Sequence, residues 1–307
     1  MVKYSFLIPA YKGKYFSKAL GSILSQTYSG FNVIVSDDCS PDDLKSIVDK
    51  FSDSRVTYRR NSQNIGAEHL VEHWNLLLGL TDAEYIILAS DDDVYAPDFL
   101  EKMDSLQQKY PDISVVRPHI SYIDANDNIT WEESVLCDEV INDREFLSLE
   151  IQGKFVSGLP QFVFNRKSLL RIGGFVDYPL AWYSDDATVS LLSQSGMAVC
   201  AENLFFFRLS GDSISTKRLL DWSGKLKASV EYAMLLRSLY SSVEDYALLN
   251  ESWNRIRKLT IILLNESSDK TFFKMMRLMR DIESPLYPLN WRIKRVIGRF
   301  YHKVIGK

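Results

Sequence analysis

Cysteine, histidine and long apolar runs are all scarce in this sequence. Its 307 residues include three cysteines and four histidines. Cys39, Cys137 and Cys200 lie far apart and show no metal-ligand spacing, which argues against a zinc module or a disulfide-stapled scaffold. Their odd number points to a reducing compartment. No stretch approaches the ~20 apolar residues needed to span a bilayer. Met1–Pro9 is apolar only briefly and is expected to form a first strand, not a secretory signal. Excess positive charge is missing too. The 36 Lys and Arg stand against 40 Asp and Glu, which argues against a general nucleic-acid binder. Locally the balance reverses. Ser284 to Lys307 holds no acid, yet it contains Arg292, Lys294, Arg295, Arg299, Lys303 and Lys307. No internal repeat or low-complexity tract is present. What remains is an ordinary globular composition, 46% hydrophobic and 25% charged, enough for one large domain or one domain plus an appendage.

The chain does have carboxylates in telling places. Tyr85-Ile86-Ile87-Leu88 reads as a fully buried strand and runs into Ala89-Ser90-Asp91-Asp92-Asp93. Three adjacent anions repel one another, so a fold keeps them for a metal, for a set of hydrogen-bond donors, or fully solvated. Asn32-Val33-Ile34-Val35-Ser36 leads into Asp37-Asp38 in the same way. Two buried strands thus end in adjacent aspartates, and open parallel sheets bind ligands beyond the carboxyl ends of their strands. A few hard oxygen ligands suit Mg²⁺ or Mn²⁺ bridging to substrate phosphates. A solvated loop is the competing reading for Asp91–Asp93. For Asp37 and Asp38 it is a turn and a helix cap, which is compatible with accepting hydrogen bonds from a base or a ribose.

Strand and helix patterns alternate through residues 1–118. Strands are expected over Tyr4–Ile8, Asn32–Ser36, Arg55–Arg59, Glu84–Ala89 and Ile113–Val116, and helices over Tyr15–Gln26, Pro41–Phe51, Gly66–Leu80 and Pro97–Tyr110. Pro41 and Pro97 sit at first-turn positions followed by acids, a good helix start. This alternation predicts an α/β fold with a mostly parallel central sheet flanked by helices. Residues 119–218 are less regular, with a turn at Ile123–Asn128, strands at Pro160–Phe164 and Leu204–Arg208, and a loop at Arg171-Ile172-Gly173-Gly174-Phe175. Residues 219–307 read as a C-terminal helical region.

Four blocks in order carry a resemblance: Ile8-Pro9-Ala10-Tyr11, then Val35-Ser36-Asp37-Asp38-Cys39-Ser40-Pro41-Asp42, then Asn64-Ile65-Gly66, then Ser90-Asp91-Asp92-Asp93-Val94-Tyr95-Ala96-Pro97-Asp98. Together they resemble the inverting glycosyltransferases of family 2, which have the nucleotide-diphosphosugar transferase (GT-A) fold. The resemblance covers about the first 118 residues well and continues more loosely to about 215. It implies a catalytic domain over 1–218, with a nucleotide-sugar-binding half (1–118) and an acceptor half (119–218). Pro9, Ala10 and Tyr11 would line the nucleobase pocket, and Asp37 and Asp38 would hold base or ribose. Asn64, Gly66 and Asp91 join the donor-binding set, with Asp91 near the ribose. Asp92 and Asp93 would bind Mn²⁺ or Mg²⁺. Ser90 stands where the family's first aspartate usually stands.

Trp182-Tyr183-Ser184-Asp185-Asp186 precedes an apolar helical pattern. The acids there are equally readable as a helix N-cap. The position resembles the family's Glu-Asp motif, which implies that Asp185 or Asp186 is the catalytic base. Phe207–Ser215 resembles an Arg-X-His element with Ser210 in place of the histidine, leaving Arg208 or Ser213 to reach a phosphate; a surface loop reads equally well. His69-Leu70-Val71-Glu72-His73 matches a short zinc-protease pattern. Leu70, Val71, Trp74, Leu77 and Leu78 define the core stripe of that helix, so its histidines are expected on the flank, as surface or acceptor-side residues. The tail has apolar residues at 293, 296, 297, 300 and 304 with a basic opposite face, the pattern of an interfacial helix or of one packed on a domain.

The function implied is inverting, metal-dependent transfer of a sugar from a nucleotide diphosphate, a UDP-sugar by preference, to a hydroxyl of a glycan or lipid-linked acceptor. The setting implied is bacterial surface-polysaccharide synthesis, in the cytoplasm or peripherally at the inner membrane face. The helical tail would complete the acceptor site, contact membrane through 291–305, or mediate a homodimer. The rivals are a nucleotidyltransferase on a similar sheet and a non-catalytic nucleotide- or glycan-binding module. Tyr11-Lys12-Gly13-Lys14 has only one of the glycines that a triphosphate loop needs, which disfavours the first.

Overall fold

The computed structural model describes residues 2–209, 221–282 and 284–305. The chain divides into two compact units, Met1–Ser213 and Ile214–Lys307. The first unit opens with β1 (Tyr4–Ala10), α1 (Phe16–Leu24), β2 (Phe31–Asp37), α2 (Leu44–Phe51), β3 (Val56–Arg60), α3 (Gly66–Leu78), β4 (Tyr85–Leu88), β5 (Val94–Tyr95) and α4 (Phe99–Lys109). It continues through β6 (Val115–Ile123), β7 (Ile129–Glu132), β8 (Val140–Ile141), α5 (Asp143–Ile151), β9 (Val163–Asn165), α6 (Arg166–Arg171), α7 (Ser184–Leu192) and β10 (Met197–Arg208).

One mixed sheet organises this unit, in the order β3-β2-β1-β4-β9-β6-β10-β5. β3, β2, β1 and β4 are parallel, which puts their carboxyl ends along one edge. β9 is antiparallel to both β4 and β6 and joins the parallel half to the rest. β6 and β10 pair in parallel, while β5, β7 and β8 run antiparallel to their partners. Alternation along the strands builds a core on each face. Tyr4, Phe6 and Ile8 of β1 pack with Phe16, Leu20, Phe99 and Met103 from α1 and α4. Leu7 points the other way, with Val71 and Leu78 of α3, Phe146 of α5 and Val189 of α7. The result is a helix–sheet–helix sandwich.

α2 begins at Leu44, three residues later than its proline suggests. Residues 40–43 are used as a turn instead. The Asp42 carboxylate accepts from the Gly13 N–H at 2.7 Å, and Asp43 becomes the cap, accepting from the Ser46 N–H at 3.1 Å.

α3 ties the two ends of the candidate site together. Its first turn lies against the loop after β2. Further along, the Asn75 side chain clamps the loop after α6, donating to the Phe175 carbonyl at 3.0 Å and accepting from the Phe175 N–H at 2.8 Å. Gly174 allows this approach. Its φ is +95°, and a Cβ there would lie 2.4 Å from Asn75 Oδ1.

The second unit contains α8 (Trp222–Leu239), α9 (Tyr246–Glu266), α10 (Asp269–Asp281) and α11 (Leu289–Ile305). Leu236, Leu264, Met275, Met279 and Tyr287 are buried in it. The Arg299 guanidinium fastens α11 to the carboxyl end of α9, donating to the Leu264 and Ser267 carbonyls at 3.1 and 2.6 Å. A cation there suits the negative end of the helix dipole.

Gly174→Ala should lower stability by about 2 kcal/mol or more, combining the left-handed backbone cost with loss of the Asn75 clamp. Urea denaturation reads this directly, and an unchanged midpoint would contradict the clamp.

Candidate active site

The carboxyl ends of β1, β2 and β4 meet through side chains of the two acidic loops. Asp91, largely buried, accepts from the backbone N–H groups of Tyr11 and Lys12, both at 2.7 Å. The Tyr11 carbonyl in turn accepts from the Ser40 hydroxyl at 2.5 Å, and the Ala10 carbonyl accepts from the Asp38 N–H at 2.8 Å. The loop after β1 is thereby held between the other two. Its aromatic ring stays outside: Tyr11 is 40% exposed, whereas Ala10 is fully buried. Pro9 is half-buried beside them.

Asp37 and Asp38, expected to hold base or ribose, are both occupied by the protein. Asp38 accepts from the N–H groups of Ile65 and Gly66 at 2.9 and 2.7 Å and from Asn61 Nδ2 at 2.8 Å. It is thus an anionic cap on the start of α3. Gly66 is required there, since a Cβ would sit 2.9 Å from Asp38 Oδ2. Asn64 precedes this cap and is half-buried. Asp37 is completely buried and accepts from the Ser40 N–H at 2.8 Å, the Tyr58 hydroxyl at 2.5 Å and Arg60 Nη1 at 2.6 Å. Both carboxylates therefore fix the loop after β2, Asp38 to the start of α3 and Asp37 to the end of β3.

His73 corrects the sequence reading. It is buried, not on an outer flank, with Nε2 2.9 Å from the Ser36 hydroxyl and Nδ1 3.6 Å from Asp38 Oδ2. Burial lowers its proton affinity, which favours neutral imidazole. His69 and Glu72 are exposed, and the short zinc-like pattern does not assemble.

The three acids after β4 differ in role. Asp93, expected as a metal ligand, is turned into the fold at 2% exposure. Its oxygens accept from the Ser90 hydroxyl at 2.6 Å and the Arg208 N–H at 2.8 Å. Ser90 supplies a donor where an aspartate would add another negative charge. Arg208, expected to reach a phosphate, has a fully buried guanidinium. It donates to the carbonyls of Asp92 and Asp124 at 2.8 and 3.0 Å and pairs with Asp127 at 2.6 Å. It braces the acidic loop against the β6–β7 turn. The serines at 210 and 213 lie outside the described residues.

Proton affinity is raised at all three acids, mainly by burial. Asp93 is pushed up to about 8, with the Asp92 charge adding to the effect. Lys12 and Arg208 oppose the rise at Asp92. Among the described residues no three His, Cys, Asp or Glu side chains form a ready-made metal group. The donor set nonetheless fits a divalent cation. Mg²⁺ and Mn²⁺ sites use one or two carboxylates and complete the shell with phosphate and water, and a cation offsets the repulsion that burial creates here.

Asp185 and Asp186 occupy the first turn of α7. The Asp186 N–H donates to Asp185 Oδ1 at 3.0 Å. Asp185 is pushed well above the ordinary carboxylate range, first by burial and then by the Asp186 charge, with Glu150 adding to it. The pair favours one proton shared between two acids. Just before it, Leu180, Ala181 and Tyr183 hold positive φ values of 64°, 55° and 64°. The Ser184 hydroxyl accepts from the Tyr178 N–H at 3.1 Å and closes this strained loop onto the same helical turn.

The model of glycosyl transferase family 2 matches residues 5–173. The chain belongs to glycosyl transferase family 2. This glycosyltransferase is 27% identical over 234 residues to the glycosyltransferase GlyG of Streptococcus pneumoniae, covering 71% of this chain and 75% of that one. It is 30% identical over 106 residues to the Escherichia coli UDP-Glc:alpha-D-GlcNAc-diphosphoundecaprenol beta-1,3-glucosyltransferase WfgD, covering 34% of this chain and 41% of that one. Among solved structures it is similar to S. aureus TarS 1–349 in complex with UDP-GlcNAc, with a TM-score of 0.70 and 15% identity, over 91% of this chain and 80% of that one. It is also similar to the mannosyltransferase PcManGT from Pyrobaculum calidifontis in complex with GDP-Man and Mn²⁺, with a TM-score of 0.53 and 14% identity, over 100% of this chain and 88% of that one. Identity this low shows the fold alone.

Sequence reasoning missed several residues that build the candidate site. Arg60 ends β3 and Asn61 follows it, and they bond to Asp37 and Asp38. Their position at a strand's carboxyl end was the available signal. Asn75 carried none, because its partners are a backbone N–H and carbonyl a hundred residues away.

Asp38→Ala should destabilise the donor-free protein by about 2–4 kcal/mol, because two backbone N–H groups and an amide lose a buried anionic acceptor. A side chain that served only the nucleobase would leave donor-free urea denaturation unchanged.

Proposed function

We propose that this glycosyltransferase is an inverting, metal-dependent enzyme that moves a sugar from a nucleotide diphosphate, a UDP-sugar by preference, to a hydroxyl of a glycan or lipid-linked acceptor. One observation carries the reading: the Asp91 clamp gathers the ends of β1, β2 and β4 while leaving Tyr11 exposed and Asp92 half-buried at the loop, less enclosed than Asp93. Tyr11 would pack on the base, and Pro9 would border it. Asp92 would hold the cation, whose chemistry is to offset charge developing on the leaving diphosphate. Lys12, attracted to Asp91 and Asp92, stands at the same loop.

The acceptor hydroxyl must lose a proton as it attacks the anomeric carbon from the face opposite the leaving group. Asp185 or Asp186 would take that proton, a role that the raised proton affinity of Asp185 suits. The names of TarS and WfgD, with their UDP-GlcNAc ligand and lipid diphosphate acceptor, favour a UDP-sugar and a surface glycan. PcManGT, in complex with Mn²⁺, favours a divalent ion.

Two measurements test this. In a panel of nucleotide sugars with Mn²⁺, donor turnover should fall to background with EDTA and in Asp92→Asn; turnover indifferent to both would remove the metal from the reading. The second uses pH. A base must be deprotonated, and Asp185 binds its proton more tightly than an ordinary aspartate of pKa ~3.9. Activity should therefore rise with pH along a limb above that value. Neutralising the base should cost about 10²–10⁴-fold. Neutralising its partner should shift the limb to lower pH, because the repelling charge is gone. Two fully active variants would exclude both residues as the base.

A further inference from the structure

We infer that α11 and α10 form a docking face for an anionic lipid surface. The inference is independent of the sugar-transfer chemistry. Leu289, Ile293 and Ile297 fall at fourfold spacing on α11 and are 64%, 47% and 60% exposed. They border a groove of about 390 Å³, whose charged lining is Arg277 and Arg280 from α10 and Arg292 from α11, with no acid. At about 100° per residue, exposed Lys294 follows on the other side of the stripe. Arg299 meanwhile holds the opposite face of α11 against α9, so the stripe is the side left outward.

Charge decides the occupant. Asp281 approaches Arg277 and Arg280 at 3.7 and 2.8 Å and offsets part of their charge. Arg292 and Lys294 belong to a stretch without any acid, from Ser284 to Lys307. A second copy meeting this face about a two-fold axis would oppose one basic rim with another. A bilayer carrying anionic headgroups matches both parts, taking the apolar stripe into the acyl boundary and the arginines at the headgroups. No helix among the described residues is long and apolar enough to cross a membrane, so the contact lies in the plane of the interface.

Flotation of the full chain with phosphatidylcholine vesicles, with and without phosphatidylglycerol, tests the inference. The protein should float with the anionic vesicles, weaken with added salt, and stay behind with the neutral ones. Ile293→Ser with Ile297→Ser should abolish flotation. Arg277→Gln with Arg292→Gln should weaken it by on the order of fivefold per arginine. Ile293, Ile297 and Arg277 are exposed and Arg292 is half-buried, so thermal melting and donor turnover in solution are read beside flotation and should match the parent. Equal binding to both vesicle types, or flotation untouched by either pair, would overturn the inference. So would a concentration-dependent dimer that does not float and that the two serines dissolve.

Discussion

The site depends on one buried carboxylate receiving two backbone N–H groups. Asp91 reaches from the end of β4 to Tyr11 and Lys12 at the end of β1. Charge-assisted bonds of this kind are short and strong, and one carboxylate oxygen takes both N–H groups. Through Tyr11 and Ser40 the constraint passes to the loop after β2. The conformation of three loops is thus set by acids that also crowd one another. Burial raises the proton affinity of the whole run after β4, and the Asp92 charge adds to it at Asp91 and Asp93. Positive charge is consequently welcome there, whether from Lys12 or from a cation.

Much of the fold was legible because its signals are local. Alternating strand and helix patterns located every element of residues 1–118 except the two-residue β5. The sandwich faces follow from period-two burial in β1 and β2. Boundaries were less secure. Pro41 looks like a helix start, but Asp42 is drawn away to Gly13 and the cap moves to Asp43. The mixture of strand directions was hidden as well, since β9 is only three residues long and owes its place to partners distant in sequence.

The candidate site was legible in its residue types and less so in its roles. Adjacent aspartates after buried strands did mark loops that the fold brings together. Their sequence cannot say which oxygens the protein keeps for itself. Asp37, Asp38 and Asp93 are consumed by internal donors, and Arg208 by carbonyls and Asp127. Ser40 and Ser90 are three residues from their acids, but most of the other partners are remote along the chain, so only the folded geometry shows how each acid is held. His73 shows the same limit. Its helical position suggested a flank, yet Ser36 and Asp38 draw it inward.

β9 has a further consequence. Its three residues are laddered to β4 on one side and β6 on the other. The parallel strands and the β6–β10 pair are therefore welded into a single plate, and they cannot swing apart like jaws without tearing that ladder. Any adjustment to differently sized ligands must come from the segments that rise above the plate. Diversification by exchanging those segments leaves the plate untouched, and with it the spacing between the parallel strand ends and everything built on the far side.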